Sequence, residues 1–508
     1  MNTAMDRRLF VKAAGASCAA VAASAAIGTA IAEEAPKEEV EDWASQVTET
    51  IDADIVVVGS GVSGMSAGVE AAQEGLKVII LESAAIRGAV IRSTEGLAAV
   101  NSPLQQEQGI EISIPEIIKA EAQPNRYCLN PIYWKQTLDR SGDNIAWLIE
   151  NGVQFTGVVD NYKNTGAFPT FHWFPGDHEA QTYYGDPMEA EFKKYEGCEL
   201  RLNTRGRALK MDGDKVAGIY ATTPDGVLEI NAPAVILASG GYGGDPAEVA
   251  KRFPCMTVDK YQCDGAFTNC GDGCNMVISA GGVVDSVHSC FLGTAKGKAV
   301  NRAFAFNAIN GNAMWVNQDG LRICDESECG GILSIAGMNI LFQEHQIYSI
   351  YDATMLGDNV EACKEEAVES PDSVFIADTI EELAEKLGID PAALSETVAN
   401  WNAMIETGED TEFGKDLSAA TPLVEPPFAA FKQILLAHGN VGGTEVSTKY
   451  EVTHPDGTPI PGLYAAGTEA NMNYRSYAYH YTVPGGAMCQ AVDSGRWAAK
   501  NAAKYLQG

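Results

Sequence analysis

Asp54 to Glu82 reads DIVVVGSGVSGMSAGVEAAQEGLKVIILE, and the fold of the chain is decided there. Four β-branched apolar residues, Ile55 to Val58, predict a buried strand. It runs into Gly59-x-Gly61-x-x-Gly64 and an Ala/Gly-rich helix, and a second apolar strand, Val78 to Leu81, ends at Glu82. The three glycines serve a tight turn, close approach of backbone to a pyrophosphate, and packing of helix on strand. Free N–H groups at the helix N-terminus, with Val62 and Ser63 in its first turn, favour phosphate. Glu82 stands where an acid accepts from a ribose 2′-hydroxyl. A glycine triplet alone is weak, but triplet, strands and acid together predict dinucleotide binding.

Moving outward, RGAVIRSTEGLAAVNSP (Arg87 to Pro103) mixes Gly, Ser and Thr in a loop expected against the bound nucleotide. Ser83, Gly88, Ala89, Ser93 and Thr94 therefore join the candidate binding residues. Residues 112–155 predict helix, with Trp134, Leu138, Ile145, Trp147 and Leu148 on one apolar face. Turns at Asp212-Gly213 and Asp225-Gly226 predict an antiparallel meander between Leu200 and Ile230. AVILASGGYGG (234–244) predicts a strand ending in Ala238, Ser239 and Gly240, small residues that let a ligand pass close to backbone. Gly271-Asp272-Gly273 opens a further helix, and Thr379-x-x-Glu382 and Asp390-Pro391 mark ordinary helix starts. Leu463 to Gly467 predicts a short strand meeting small residues, with Thr468 next. Pro484 precedes Gly485, Gly486 and Ala487, which open the final helix and aim N–H groups beyond it.

The N-terminus carries an address. Arg7, Arg8, Phe10 and Lys12 form a twin-arginine pattern ahead of an Ala-rich run, with Ala30-x-Ala32 as cleavage site. The run is too short and too rich in Ala, Gly and Ser to span a membrane stably. Export of a folded protein to the periplasm or cell surface, with cofactor already loaded, is the expectation. The 476 residues that would remain exceed the size of a single core, and they carry 32 basic and 67 acidic side chains. So acidic a surface argues against nucleic acid and anionic membranes. Twelve cysteines are present, with no C-x-x-C and no haem-attachment motif. Cys255, Cys263, Cys270 and Cys274 cluster, but their spacing fits no familiar iron–sulfur pattern, so buried structural thiols are expected and no metal site is assigned.

These pieces in this order resemble the flavoprotein subunits of fumarate reductases and succinate dehydrogenases, closest to the soluble exported branch that reduces activated C=C bonds. The resemblance covers nearly all of 50–508 and rests on Gly59-x-Gly61-x-x-Gly64 with Glu82, Ala238 to Gly241, Gly271-Asp272-Gly273, Leu387 to Lys415, and Gly462 to Gly467. It implies an α/β fold: a doubly wound, Rossmann-like FAD-binding domain split by an inserted α+β capping domain. The expected organisation is a signal at 1–32, a leader at 33–50, FAD-binding parts at 51–287 and 439–508, and a capping domain at 288–438. The resemblance aims the last helix at the flavin N1/C2 edge, where its positive end stabilises reduced flavin. No histidine stands at Arg87-Gly88-Ala89, so FAD is expected to be non-covalent.

Departures from the family decide the substrate. Its proton-donating arginine falls eight residues past Arg322, where this chain has Gly330, and its relay residues fall near Phe306 and Ile309. A second family arginine falls at Thr482 and Val483, and His438 alone keeps a family-like place. A dicarboxylate would be poorly paired, so fumarate is not the expected substrate. In its place stands Asn473-Tyr474-Arg475-Ser476-Tyr477-Ala478-Tyr479-His480-Tyr481. Tyrosines beside flavin resemble ketosteroid dehydrogenases, and a phenol is a feasible general acid. Tyr481, Arg475, Tyr479 and His438 are the candidate catalytic residues.

The expectation is an FAD-dependent oxidoreductase acting on CH–CH groups. Hydride would pass from flavin N5 to the β-carbon of an enone or aryl acrylate, with Tyr481 or Arg475 protonating the α-carbon. Desaturation of a 3-ketosteroid-like ring, and an electron-transfer flavin subunit with no substrate of its own, stay open. A separate cytochrome or quinol-linked protein is the expected electron donor.

Overall fold

The structure is a computed structural model. It describes residues 42–88, 94–164, 166–176, 178–252, 261–263, 267–294, 313–329, 343–470, 473 and 482–508, with backbone alone at 262, 285–294, 328–329 and 435–442. The chain divides into two units, Met1–Gln46 and Val47–Gly508. Of the first, Ala44–Gln46 forms a 3-10 turn.

The second unit opens with β1 (Val47–Asp52) and β2 (Ile55–Val58), then α1 (Val62–Gln73), β3 (Val78–Leu81) and β4 (Gly96–Ala98). Helices α2 (Ile114–Ala122) and α3 (Pro131–Glu150) precede β5 (Val159–Asp160), β6 (Phe171–Trp173) and β7 (Glu199–Arg201). The meander is β8 (Arg205–Asp212), β9 (Lys215–Thr223) and β10 (Gly226–Asn231), leading into β11 (Ala234–Leu237). Next come β12 (Tyr261–Cys263), α4 (Asp272–Ser279), β13 (Val284–Thr294), β14 (Met314–Asn317), β15 (Ile347–Tyr351) and β16 (Val374–Ala377). Helices α5 (Ile380–Leu387) and α6 (Pro391–Thr407), strands β17 (Phe428–Thr444), β18 (Glu451–Thr453) and β19 (Pro459–Ala465), and α7 (Gly486–Gln507) complete it.

The central sheet runs β18-β19-β11-β2-β3-β7, parallel from β19 to β7 with β18 antiparallel at one edge. Its inner strands are apolar and buried on both faces, as a parallel sheet covered on two sides requires. Helices α1 and α7 cross closely, since a Cβ on Gly495 would lie 2.2 Å from the Ser63 carbonyl. Glu70 in α1, almost fully buried, pairs with Arg496 at 2.7 Å and Lys500 at 2.6 Å from α7.

The meander forms its own sheet, β1-β10-β9-β8. Its β1 lies parallel to β10 and begins at Val47, within the 33–50 segment read from sequence as a leader. The third sheet is built on β17, which pairs with β12, β13, β15 and β16, while β14 pairs with β15. It draws strands from 261 to 444 and so extends past the expected capping limits of 288 and 438. Both faces are covered. Trp315, Tyr351 and Phe431 fill one core, while Met314 and Val316 meet Leu383, Val398 and Trp401 in another.

Local signals account for the helix starts. Asn130 caps α3 by accepting from Ile132 and Tyr133, and the apolar face of α3 is buried as expected. Asp390 accepts from the Ala392 N–H with Pro391 at the first position of α6. Thr379 caps α5, but the Glu382 carboxylate reaches the N–H of Asp378 at 3.3 Å, so the expected capping box is half formed. No described helix is long and apolar enough to cross a membrane.

Candidate active site

The registers Ala465–Leu237, Leu237–Val58 and Val58–Leu81 bring the C-terminal ends of four neighbouring parallel strands level. Each end runs into a predicted site segment: Gly59 after β2, Glu82 after β3, Ala238 after β11, Gly467 just after β19. The strand order reverses between β2 and β11, and ligands of open α/β sheets bind at such a switch point. The two loops there nearly touch. Gly59 has φ +103°, and a Cβ on it would lie 2.4 Å from the Ala238 carbonyl oxygen. A Cβ on Gly64 would lie 1.9 Å from the Gly59 carbonyl oxygen, whereas one on Gly61 would meet nothing within 4 Å. The first and third glycines therefore pack the fold, and the second faces open space.

Glu82 is buried, accepting from Ser60 Oγ at 2.5 Å and from the Ala84 N–H at 2.9 Å. Ser60 Oγ in turn accepts from the Gly88 N–H at 3.0 Å, which ties the start of the next loop to the same acid. Ser83 and Thr94 flank that loop, and Ala89 and Ser93 lie outside the described residues. The Arg87 guanidinium is taken up by Asp186, Glu189 and Gln181.

On the other side, Glu469 was not foreseen. Fully buried, it accepts from Ser239 Oγ at 2.6 Å, the Gly241 N–H at 3.0 Å and Cys274 Sγ at 3.1 Å. Burial, together with this carboxylate, holds the Cys274 thiol well above its usual pKa. Ser239 Oγ also accepts from the Gly273 N–H at 3.2 Å, so one acid joins the β11 loop, the start of α4 and the segment after β19. Gly467 beside Thr468 donates its N–H to Ser494 Oγ at 2.8 Å. Asp272 lies at the start of α4, but its carboxylate is engaged by Arg205 at 2.7 and 3.0 Å.

The third wall is the N-terminus of α7. Gly485 caps it at φ +78° with no side-chain cap, and its carbonyl accepts from the Ala98 N–H of β4 at 3.1 Å. Gly486 is buried, yet Ala487 in the same first turn is exposed, so this helix end faces open space. Ahead of it, Thr482 donates through its N–H, at 2.8 Å, and through its hydroxyl to Oε1 of Glu121, a fully buried residue of α2. The Asn473 carbonyl accepts from the Asn130 N–H and from Trp134 Nε1, both at 3.2 Å. Arg475, Tyr479 and Tyr481 lie outside the described residues, as do Gly330, Phe306 and Ile309, while His438 lies on β17 by its backbone.

Arg322, eight residues before the position expected for a donor at Gly330, is not placed for chemistry. It is buried with bidentate bonds to Glu326 and Asp410 at 2.8 to 3.0 Å, and it lies over the Trp401 and Phe413 rings. Of the thiols with described side chains, Cys263, Cys274, Cys324, Cys363 and Cys489 are buried, Cys198 and Cys270 half-buried and Cys128 exposed. Among the described residues no group of His, Cys, Asp and Glu is arranged to hold a metal ion.

These features fit FAD. The N-termini of α1 and α7 carry no side-chain cap, the space beyond Gly61 is open, and the buried Asn473 Oδ1 has no hydrogen-bond partner among the described residues. Comparison with known proteins agrees. A family model described as FAD binding domain matches residues 54–488. A vinyl phenol reductase of Lactiplantibacillus plantarum is 29% identical over 488 residues, covering 89% of this chain and 96% of that one. The open conformation of a flavocytochrome c3 fumarate reductase superposes with a TM-score of 0.69 at 24% identity, covering 92% of this chain and 80% of that one. A 3-ketosteroid Δ4-(5α)-dehydrogenase from Rhodococcus jostii superposes with a TM-score of 0.63 at 22% identity, covering 91% and 99%.

Proposed function

Since this chain belongs to the FAD binding domain family, we propose that it reduces an activated C=C bond on a mostly neutral, apolar or aromatic substrate, an enone or aryl acrylate rather than fumarate. The observation that carries this reading is the Thr482–Glu121 pair. Just ahead of the α7 N-terminus, where a dicarboxylate would need cationic donors, Thr482 spends both of its donors on a buried acid. Arg322 is fully engaged by Glu326 and Asp410 and has no capacity left for a substrate. The likeness to a vinyl phenol reductase over nearly the whole of that protein supports the same substrate class.

FAD, when bound, supplies a hydride to the electron-poor carbon. The chain's own part is to hold the pyrophosphate at Gly61 and the first turn of α1, the ribose at Glu82, and the flavin against α7. Proton delivery to the neighbouring carbon falls to the segment before Thr482, with Tyr481 first and Arg475 as alternative. FAD is held non-covalently, since Arg87-Gly88 offers no histidine. The twin-arginine segment implies export, and a separate cytochrome or quinol-linked protein delivers the electrons.

The test is anaerobic turnover of the reduced, purified protein against hydroxystyrenes, enones, aryl acrylates and fumarate. Neutral or aryl-conjugated alkenes are expected to reoxidise it fastest. Fumarate turnover at a comparable rate would overturn the substrate class. Reoxidation by a partner protein alone would favour an electron-transfer subunit, and net oxidation of a saturated ketone would favour desaturation.

A further inference from the structure

We propose that Glu121 is a positioning residue for the bound flavin, acting through Thr482 on the N-terminus of α7. The inference rests on FAD binding and on no particular substrate.

The apolar stripe of α2 is Ile114, Ile117 and Ile118, and Glu121 takes the next place on it. An acid buried at a core position costs several kcal/mol unless donors answer it. Here Thr482 answers with two, its N–H and its hydroxyl, both on Oε1. The rest of the 482–485 turn is fixed by main chain. The Thr482 carbonyl accepts from the Ala167 N–H at 3.0 Å, and the Gly485 carbonyl accepts from the Ala98 N–H at 3.1 Å. A Cβ on Gly166 would come within 2.6 Å of Pro484, so that loop lies hard against the turn. Glu121 adds a side-chain grip to these main-chain contacts.

What the turn aims is the open first turn of α7. The Gly486 N–H is already taken by the Val483 carbonyl at 3.1 Å, but those of Ala487 and Met488 have no partner among the described residues and carry the positive end of the helix dipole, an effect that fades within one turn. An alignment error at Thr482 reaches the helix start through its neighbour Val483, whose carbonyl accepts from the Gly486 N–H at 3.1 Å. Loss of the grip would thus weaken stabilisation of the anionic reduced flavin relative to the oxidised form.

The experiment measures the midpoint potential of FAD bound to the full chain, by dye-coupled spectroelectrochemistry, in the wild type, Glu121→Gln and Glu121→Leu. Gln keeps an acceptor oxygen for both Thr482 donors. Glu121→Leu is expected to move the oxidised-to-reduced ratio at fixed poise about tenfold toward oxidised, ~30 mV for a two-electron couple. Glu121→Gln is expected to stay within about twofold. A merely structural role would lower the melting temperature of Glu121→Leu and leave its potential unchanged, and that result overturns the proposal. Equal shifts in both variants would overturn it too, because charge rather than grip would then be responsible. If Glu121→Leu does not fold, Thr482→Val removes the hydroxyl arm alone and must shift the potential the same way; no shift is again a refutation. Turnover does not enter these readouts, so failure of the substrate class would leave them standing.

Discussion

Ser239 Oγ lies 2.6 Å from Oε2 of Glu469, a hydrogen bond between residues 230 positions apart that closes the β11 side of the crevice. Replacing Glu469 by Ala leaves the Ser239 hydroxyl, the Gly241 N–H and the Cys274 thiol without that acceptor. Unsatisfied buried groups cost roughly 1–3 kcal/mol each. Glu469→Ala is expected to weaken FAD binding at least about tenfold, with a lower melting temperature of the apoprotein. Glu469→Gln, which keeps an acceptor, falls between. Flavin titration of the apoprotein reads both.

The glycine triplet divides its labour, and two substitutions separate the shares. Gly64→Ala places a methyl 1.9 Å from the Gly59 carbonyl oxygen and is expected to destabilise the apoprotein by several kcal/mol. Gly61→Ala meets nothing within 4 Å and is expected to leave apoprotein stability within about 1 kcal/mol. Its methyl fills the space a pyrophosphate needs, so FAD affinity drops. Thermal melts without FAD, paired with FAD titrations, give the two opposite patterns.

Arg322 is a stability residue here. Arg322→Met removes the bidentate partner of both Glu326 and Asp410, whose side chains are fully buried, and leaves Glu326 only Lys415 at 3.5 Å and the Trp315 N–H, and Asp410 only backbone N–H groups. Asp410 is held well below the usual carboxylate range; burial pulls against this, and Arg322 together with three backbone N–H groups prevails. Removing one partner of such a pair costs about 3–5 kcal/mol. The visible spectrum of bound flavin is expected to be unchanged, while the denaturant midpoint falls.

Two buried groups give opposite pH dependences. Burial pushes Asp493 up to about 6, against Arg140, Asn144, Tyr450 and Arg496, which favour the anion. Its folded form holds a proton that the unfolded form releases, so this group adds stability as pH falls from 6 to 4. Burial also pushes His172 down to about 4, so stability is lost as pH falls from 6.5 to 4, where the unfolded imidazole binds a proton and the folded one does not. Each effect is worth roughly 3 kcal/mol, and together they nearly cancel. Asp493→Asn is therefore expected to make the protein more acid-sensitive between pH 6.5 and 4, and His172→Gln less so. Denaturant midpoints across that range check the sign of both.

For proton delivery, Tyr481→Phe is expected to lower turnover roughly 100- to 10,000-fold with FAD still bound. Arg475→Lys would then raise KM more than it lowers kcat. A silent Tyr481→Phe beside a dead Arg475→Lys moves the donor role to the arginine.

The crest of the central sheet was legible because its residues act through local chemistry. Gly59 to Gly64, Ala238 to Gly240 and Gly485-Gly486 each declare a turn or a helix start within a few positions. Glu469 and Glu121 were not read, since their partners lie 230 and 361 positions away and no local pattern records a long-range bond. A trace existed in each case: an acid within a run of small residues after β19, and an acid completing an isoleucine stripe on α2. The strand β1 escaped for the same reason, its six residues VTETID offering only Val47 and Ile51 as apolar side chains and being held in place by β10.

The ion pair between Glu70 and Arg496 joins residues 426 positions apart and fastens α7 across α1, the helix that begins at Val62. During synthesis, the glycine loop leaves the ribosome long before the helix that covers it. On the proposed FAD site, a nascent chain is expected to carry the pyrophosphate turn before the helix that would wall the flavin. FAD capture is then expected late in maturation: a chain released some twenty residues early contains every described strand, and it is expected to stay colourless when purified with added FAD.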